Sequence, residues 1–158
     1  MKIEFKLNGQ TATFEAEAGA NDTLYGMLRA LGISSVKCGC ETTNCGLCTV
    51  HMDGKAVLSC SVPAMRCNGR DIRTLEGMGD AAKALADCLA DEGADQCGFC
   101  APGMMMNVLM LAKENPNATD EEADVYLAGN LCRCTGYMSQ KRAIRRFLNR
   151  VDSGEVRV

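Results

Sequence analysis

The chain reads as an α+β protein in two parts, a strand-rich first half followed by a helical second half, and three observations predict this. The apolar period is two at the start, where Ile3, Phe5 and Leu7 alternate with Lys2, Glu4 and Lys6. From Gly77 onward Ala, Met, Asp and Glu replace the strand formers and the period lengthens to that of helices. Cysteine stands in for a large aromatic core: eleven Cys accompany four Phe, three Tyr and no Trp in 158 residues. Halves of roughly 60–80 residues bury little apolar surface, so bridges or metal centres are expected to help hold each one.

The elements follow in order. Asn8-Gly9 supplies a tight turn, and Ala12, Phe14 and Ala16 alternate after it, which makes a β-hairpin. Asn21 or Asp22 is placed to cap a helix with Leu24, Met27, Leu28 and Leu31 at helical spacing and Gly32 at its end. A second hairpin turns at Asp53-Gly54, between Cys48-Thr49-Val50 and Ala56-Val57-Leu58, and Ile72-Arg73-Thr74 completes the sheet. Gly77-Met78-Gly79 marks the boundary between expected domains 1–78 and 79–158.

In the second domain Asp80 is the expected cap of a helix running to about Glu92, with Leu85, Cys88 and Leu89 inward and Gly93 at its end. Pro102-Gly103 opens another, to about Glu114. Thr119 and Glu122 have capping-box spacing for a third, ended by Gly129. Ser139 is the expected cap of a fourth, with Ala143, Ile144, Phe147, Leu148 and Val151 inward. No internal repeat or low-complexity tract interrupts this order.

The opening MKIEFKLNGQ has neither a secretory nor a twin-arginine pattern, and no apolar run has the length of a membrane span, so a cytoplasmic protein is expected. In a reducing compartment clustered cysteines are metal ligands or catalytic thiols more often than disulfides. A net charge of −3, with both signs dispersed, offers no field for nucleic acid. The basic run Lys141, Arg142, Arg145, Arg146 and Arg150 reads as the solvated face of the last helix.

Cys40, Cys45 and Cys48 are spaced as C-x4-C-x2-C, with Cys60 eleven intervening residues later. This is the plant-type 2Fe–2S ferredoxin arrangement, in which a loop wraps the cluster and aims backbone N–H groups at its sulfurs. Gly39 and Gly46 allow that close approach. Structural zinc favours two close ligand pairs and fits this triplet poorly. A Rieske centre needs two histidines, and His51 is alone.

The second group is Cys97-x2-Cys100 and, thirty-one intervening residues later, Cys132-x-Cys134. Both pairs fall at helix starts or inter-helix loops, where unpaired N–H groups favour thiolates. On spacing alone zinc and a redox dithiol remain open here. Cys38, Cys67 and Cys88 read as unligated thiols, and Met104, Met105 and Met106 as core. Cys38 lies two residues before Cys40, and the ferredoxin spacing selects Cys40.

The stretches CETTNCGLCTV, DGKAVLSC, QCGFCAPG and GNLCRCTGY resemble the iron–sulfur (small) subunit of the xanthine dehydrogenase family of molybdenum hydroxylases, over nearly the whole chain. Between its first two ligands this loop has Glu41-Thr42-Thr43-Asn44, with none of the glycine common in the family. The resemblance implies an N-terminal β-grasp, plant-ferredoxin-like domain and a C-terminal four-helix bundle domain, each with one 2Fe–2S cluster. Cys40, Cys45, Cys48 and Cys60 would hold the first, and Cys97, Cys100, Cys132 and Cys134 the second.

It further implies an electron relay with no catalytic residue of its own. The helical-domain cluster would lie beside a molybdopterin cofactor in a large catalytic subunit, with Gln96 and Cys134 approaching the pterin. The other cluster would face FAD in a medium subunit or another acceptor. A xanthine dehydrogenase-like complex is the first expectation. Nicotinate, aldehyde, carbon monoxide and aromatic thioester oxidoreductases of the same family, and a free-standing two-cluster ferredoxin, are the alternatives. The purified protein should carry four irons per chain with acid-labile sulfide and give two paramagnetic signals on reduction. Stoichiometric zinc would count against both sites.

Overall fold

The computed structural model describes residues 2–16 and 22–158. Lys2–Leu7 (β1) and Gln10–Glu15 (β2) pair antiparallel with Ile3 opposite Phe14 and Phe5 opposite Ala12. Asn8 and Gly9 both take positive φ, 52° and 83°, the turn whose twist matches its strands. Asp53 and Gly54 repeat it, at 49° and 76°, between Thr49–Met52 (β3) and Lys55–Leu58 (β4). Asp71–Arg73 (β5) completes the sheet from the inside. The order is β2-β1-β5-β3-β4, with β5 parallel to β1 and antiparallel to β3.

Leu24–Ala30 (α1) lays Leu24, Met27 and Leu28 on a core shared with Ile3, Phe5, Val50 and Ile72. Its cap is Thr23, whose hydroxyl accepts the Gly26 N–H at 3.2 Å. Asp22 is therefore one position too early, and Asn21 lies outside the described residues. A tertiary contact selects the start: Leu24 donates its N–H to Val62 and Ala64 donates to Asp22, both carbonyl contacts within 2.8 Å.

The second half holds Gly79–Asp91 (α2), Ala101–Glu114 (α3), Asp120–Tyr126 (α4) and Met138–Asp152 (α5). Leu85, Cys88 and Leu89 of α2, Val108 and Leu109 of α3, and Phe147 and Leu148 of α5 share one buried cluster. Three helix ends differ from expectation. Met78 occupies the cap position of α2, leaving Asp80 in the first turn, where its charge favours the dipole without capping an N–H. Both bonds of the Thr119–Glu122 capping box form, but α4 stops at Tyr126, before Gly129. Tyr137, at φ 71°, precedes α5 and puts Ser139 inside the helix.

The basic face of α5 is paired along its length. Lys141 meets Asp124, Arg142 meets Glu92, Arg145 meets Asp120, Arg146 meets Asp91 and Arg150 meets Glu155. Such exposed pairs are worth about 1 kcal/mol or less each. They fix which way the helix rolls more than they hold it down.

Helix α3 joins the halves. One face enters the helical core, while the other packs on β3 and β4. Nine of its fourteen residues are buried, which explains the Met-rich sequence: flexible apolar side chains fill two differently shaped surfaces. His51 of β3 places Nε2 2.7 Å from the Met106 carbonyl, so that nitrogen carries the proton. Burial lowers the pKa of this ring and keeps it neutral. At the other seam Asn8, Thr74, Glu76 and Ser35 form one hydrogen-bonded chain from the first turn to the connector.

The closest approach is at Gly103 of α3, where a Cβ would land on the Gly46 carbonyl and lie 2.8 Å from the Leu47 Cα. Both neighbours are backbone and cannot rotate away. Gly103→Ala should therefore destabilise the protein by about 1–3 kcal/mol through overpacking, read as a lower thermal midpoint. An unchanged midpoint would show that the two halves do not meet at this residue.

Candidate iron–sulfur sites

The loop between α1 and β3 carries Cys40, Cys45 and Cys48, and Cys60 follows β4 in a single 3₁₀ turn, Ser59–Ser61. The four thiols line one small cavity together with Tyr25, Lys37, Cys38 and Gly39. Ser59 locks the turn to the loop, donating its N–H and its hydroxyl to the Cys48 carbonyl at 3.2 and 2.7 Å.

The thiols interact in twos, Cys40 with Cys45 and Cys48 with Cys60. Backbone N–H groups of Thr42 and Asn44 pull the Cys40 thiol down to about 6, with the Asn44 nitrogen 3.4 Å from its sulfur. Burial raises Cys45. Burial and the neighbouring Cys48 push Cys60 up to about 12. Cys40 is thus the readiest thiolate, while Cys45 and Cys60 resist a second negative charge until a cation supplies the balance. Bound iron would supply that charge.

The second site forms where the segment before α3 meets the loop between α4 and α5. Gln96, Cys97, Cys100, Cys132, Cys134 and Thr135 line a second small cavity. Cys134 Sγ lies 3.5 Å from Cys97 Sγ, and Cys100 couples to Cys132, so each pair takes one thiol from each segment. Cys100 occupies the N-cap position of α3, but burial and Cys132 push its thiol up to about 11. Burial also opposes Cys132, yet the Thr135 hydroxyl at 3.1 Å and the Thr135 and Cys134 N–H groups outweigh it and bring the thiol to about 7. Contact with Cys97 raises Cys134.

Pairing decides what such donor sets suit. A 2Fe–2S cluster offers two irons, each taking two thiolates, whereas zinc draws four ligands around one point. Twos of thiols around a shared cavity fit the cluster.

The sites are wired together by the backbone. Leu131 donates its N–H to the Cys45 carbonyl at 2.9 Å, and its peptide bond leads directly to Cys132. Buried Asn130 supports the junction: its Nδ2 lies 3.4 Å from the Gly46 carbonyl and its Oδ1 accepts from Asn107 at 2.6 Å. Gly46 has φ 73°, and a Cβ there would fall 2.5 Å from the Gly129 carbonyl.

All eight expected ligands therefore lie at two cavities, and Gln96 is an exposed residue at the rim of the second. Cys38 is exposed, with its thiol 3.1 Å from the Cys40 carbonyl, while Cys67 and Cys88 are buried away from both cavities. Sequence reading missed Asn130, Thr135 and Gln140. A signal existed for Gln140, which continues the stripe of Ala143, Ile144 and Phe147 as a polar residue at an inward position.

Residues 5–73 match the family model described as a 2Fe-2S iron-sulfur cluster binding domain, and residues 74–145 match the one described as a "[2Fe-2S] binding domain". The chain is 40% identical to the nicotinate dehydrogenase small FeS subunit of Eubacterium barkeri, over 94% of its own length and 95% of that protein's. It is 46% identical to the xanthine dehydrogenase iron-sulfur-binding subunit of Escherichia coli, covering 85% and 86%. Its fold matches a chain of quinoline 2-oxidoreductase from Pseudomonas putida with a TM-score of 0.88 and 36% identity, over 99% and 98% of the two chains. In the xanthine dehydrogenase of Emericella nidulans the matching stretch, 30% identical, is 12% of the protein.

Fold and sites define a two-cluster electron-transfer protein. The chain belongs to the iron–sulfur subunits of the xanthine dehydrogenase family of molybdenum hydroxylases.

Cys38→Ser should leave both clusters assembled, and Cys40→Ser should abolish only the ferredoxin-like signal in the reduced protein. Loss of that signal in Cys38→Ser would transfer the ligand role to Cys38.

Proposed function

We propose that this chain relays electrons from a molybdopterin centre in a large catalytic subunit to FAD in a medium subunit, within a cytoplasmic hydroxylase complex. Domains 1–78 and 79–158, the second a four-helix bundle, would each hold one cluster. The observation that carries the reading is the Cys45–Leu131 hydrogen bond, which joins a ligand of one site to the residue before a ligand of the other. When bound, the clusters supply one-electron carriers. The chain's own work is to hold eight thiolates in four pairs, to direct N–H groups at their sulfurs, and to keep the two cavities in fixed register.

Exposure supports this direction of flow. Cys97 and Cys134 are exposed, and Phe99, Leu131, Tyr137 and Met138 around them are large apolar or aromatic residues in contact with solvent. A surface of this kind suits burial against the large subunit, with Gln96 and Cys134 nearest the pterin. Cys45 and Cys48 lie deeper, and the polar loop Glu41-Thr42-Thr43-Asn44 covers the other site, which would face the acceptor.

Substrate choice belongs to the large subunit. A purine such as xanthine is the first reading, supported by the 46% identity to the Escherichia coli subunit, and nicotinate is the second, supported by the longer match to the Eubacterium barkeri protein. Co-purification with a large and a medium subunit tests the assembly. A stable monomer that reduces acceptors in cells without them would favour a free ferredoxin. In the complex, Cys134→Ser should remove the helical-domain signal and stop turnover while leaving the ferredoxin-like signal. Unchanged spectra and activity would refute its role.

A further inference from the structure

Gln140 stands in the first turn of α5 and is 2% exposed. It lines a groove with Met104, Ile144 and Leu127, whose mouth also carries Asp124, Asn130 and Lys141, yet none of these polar groups hydrogen-bonds its amide. Nε2 lies 3.6 Å from Cys100 Sγ. A metal-bound thiolate accepts hydrogen bonds and donates none, so the amide must present its N–H to the sulfur, and the flipped amide would set one acceptor against another. Oε1 is left buried without a hydrogen-bond partner. An apolar side chain at this position would avoid that cost. What the amide contributes in return is the N–H···S bond.

Reduction of a cluster adds negative charge that spreads onto its sulfur ligands. A donor aimed at one of those sulfurs is therefore worth more to the reduced state than to the oxidised state, and it raises the potential. The two sites obtain such donors differently. Cys40 in the loop site takes backbone N–H groups, which any sequence would offer in that conformation. The donor to Cys100 is a side chain from a helix more than three dozen residues away, and substitution can remove it.

We propose that Gln140 is a positioning residue for the helical-domain cluster, its amide N–H holding the Cys100 sulfur and setting that cluster's potential above the value it would have without the bond. This rests on the reading of Cys100 as an iron ligand. In the relay it makes the cluster on the molybdenum side the readier acceptor of the incoming electron.

The test is a potentiometric titration of the holoprotein followed by the paramagnetic signals of both clusters, in wild type, Gln140→Leu and Gln140→Glu. The helical-domain midpoint should move negative in both variants, while the ferredoxin-like midpoint stays in place as an internal control. An unmoved helical-domain midpoint, or an equal shift of both, overturns the proposal. Should either variant lose its cluster, wild-type protein labelled with ¹⁵N in its glutamine amides answers the same question. A nitrogen coupling on the helical-domain signal and not on the other, retained in Gln96→Met, which removes the other glutamine at that cavity, supports the bond, and its absence overturns it. Cys100→Ser separates the two levels: a helical-domain cluster that persists unaltered removes Cys100 as ligand and the proposal with it. Loss of that cluster combined with an unmoved Gln140→Leu midpoint removes the role of the amide alone.

Discussion

The Gly46 carbonyl oxygen is where the two halves are pinned. It accepts the Thr49 hydroxyl from its own half at 2.7 Å and faces the Asn130 amide and the bare Cα of Gly103 from the other. A side chain on Gly103 would strike the Gly46 carbonyl, and one on Gly46 would strike the Gly129 carbonyl, so neither position admits one. This close approach leaves the next residue back, Cys45, with its carbonyl free to take the Leu131 N–H. The register between the two thiol sets is thus decided by backbone sterics, which are stiffer than any pair of interdigitating side chains.

Around that pin the charge problem is solved locally. Each cavity sets thiols against one another in pairs, and in each the environment favours ionising one member, Cys40 or Cys132, while burial or a neighbour opposes Cys60, Cys100 and Cys134. Such an arrangement is poorly satisfied by protons and well satisfied by two cations bridged together. The same low-dielectric surroundings that penalise an unpaired thiolate strengthen every N–H···S bond, which is how few donors can tune a cluster.

Much of the fold was legible. Both hairpins follow from alternation broken by Asn8-Gly9 and Asp53-Gly54, and the capping box at Thr119 follows from two residues at fixed spacing, because these signals are local. The helix starts at Thr23 and Met138 were not legible. Thr23 is an ordinary capping residue, but Asn21 and Asp22 compete with it in sequence and the backbone pairing with the segment near Pro63 selects it, while before α5 a left-handed Tyr137 sets the start without a capping side chain. Likewise α3 carries an apolar surface on almost all sides. Its sequence shows that it is buried but not that the sheet lies on one side and the other helices on the other.

The sequence by itself determined that Cys40, Cys45 and Cys48 lie close together: thiol spacings specify how far a short loop can wrap, and these three share one short loop. The cysteines separated by long intervals are different. That Cys97 meets Cys134 and Cys100 meets Cys132, that Leu131 bridges to Cys45, and that Gln140 reaches Cys100 were decided only by tertiary structure. Each depends on the relative rotation and translation of elements distant along the chain, which side-chain packing and the Gly46–Gly103 contact settle and local sequence does not encode.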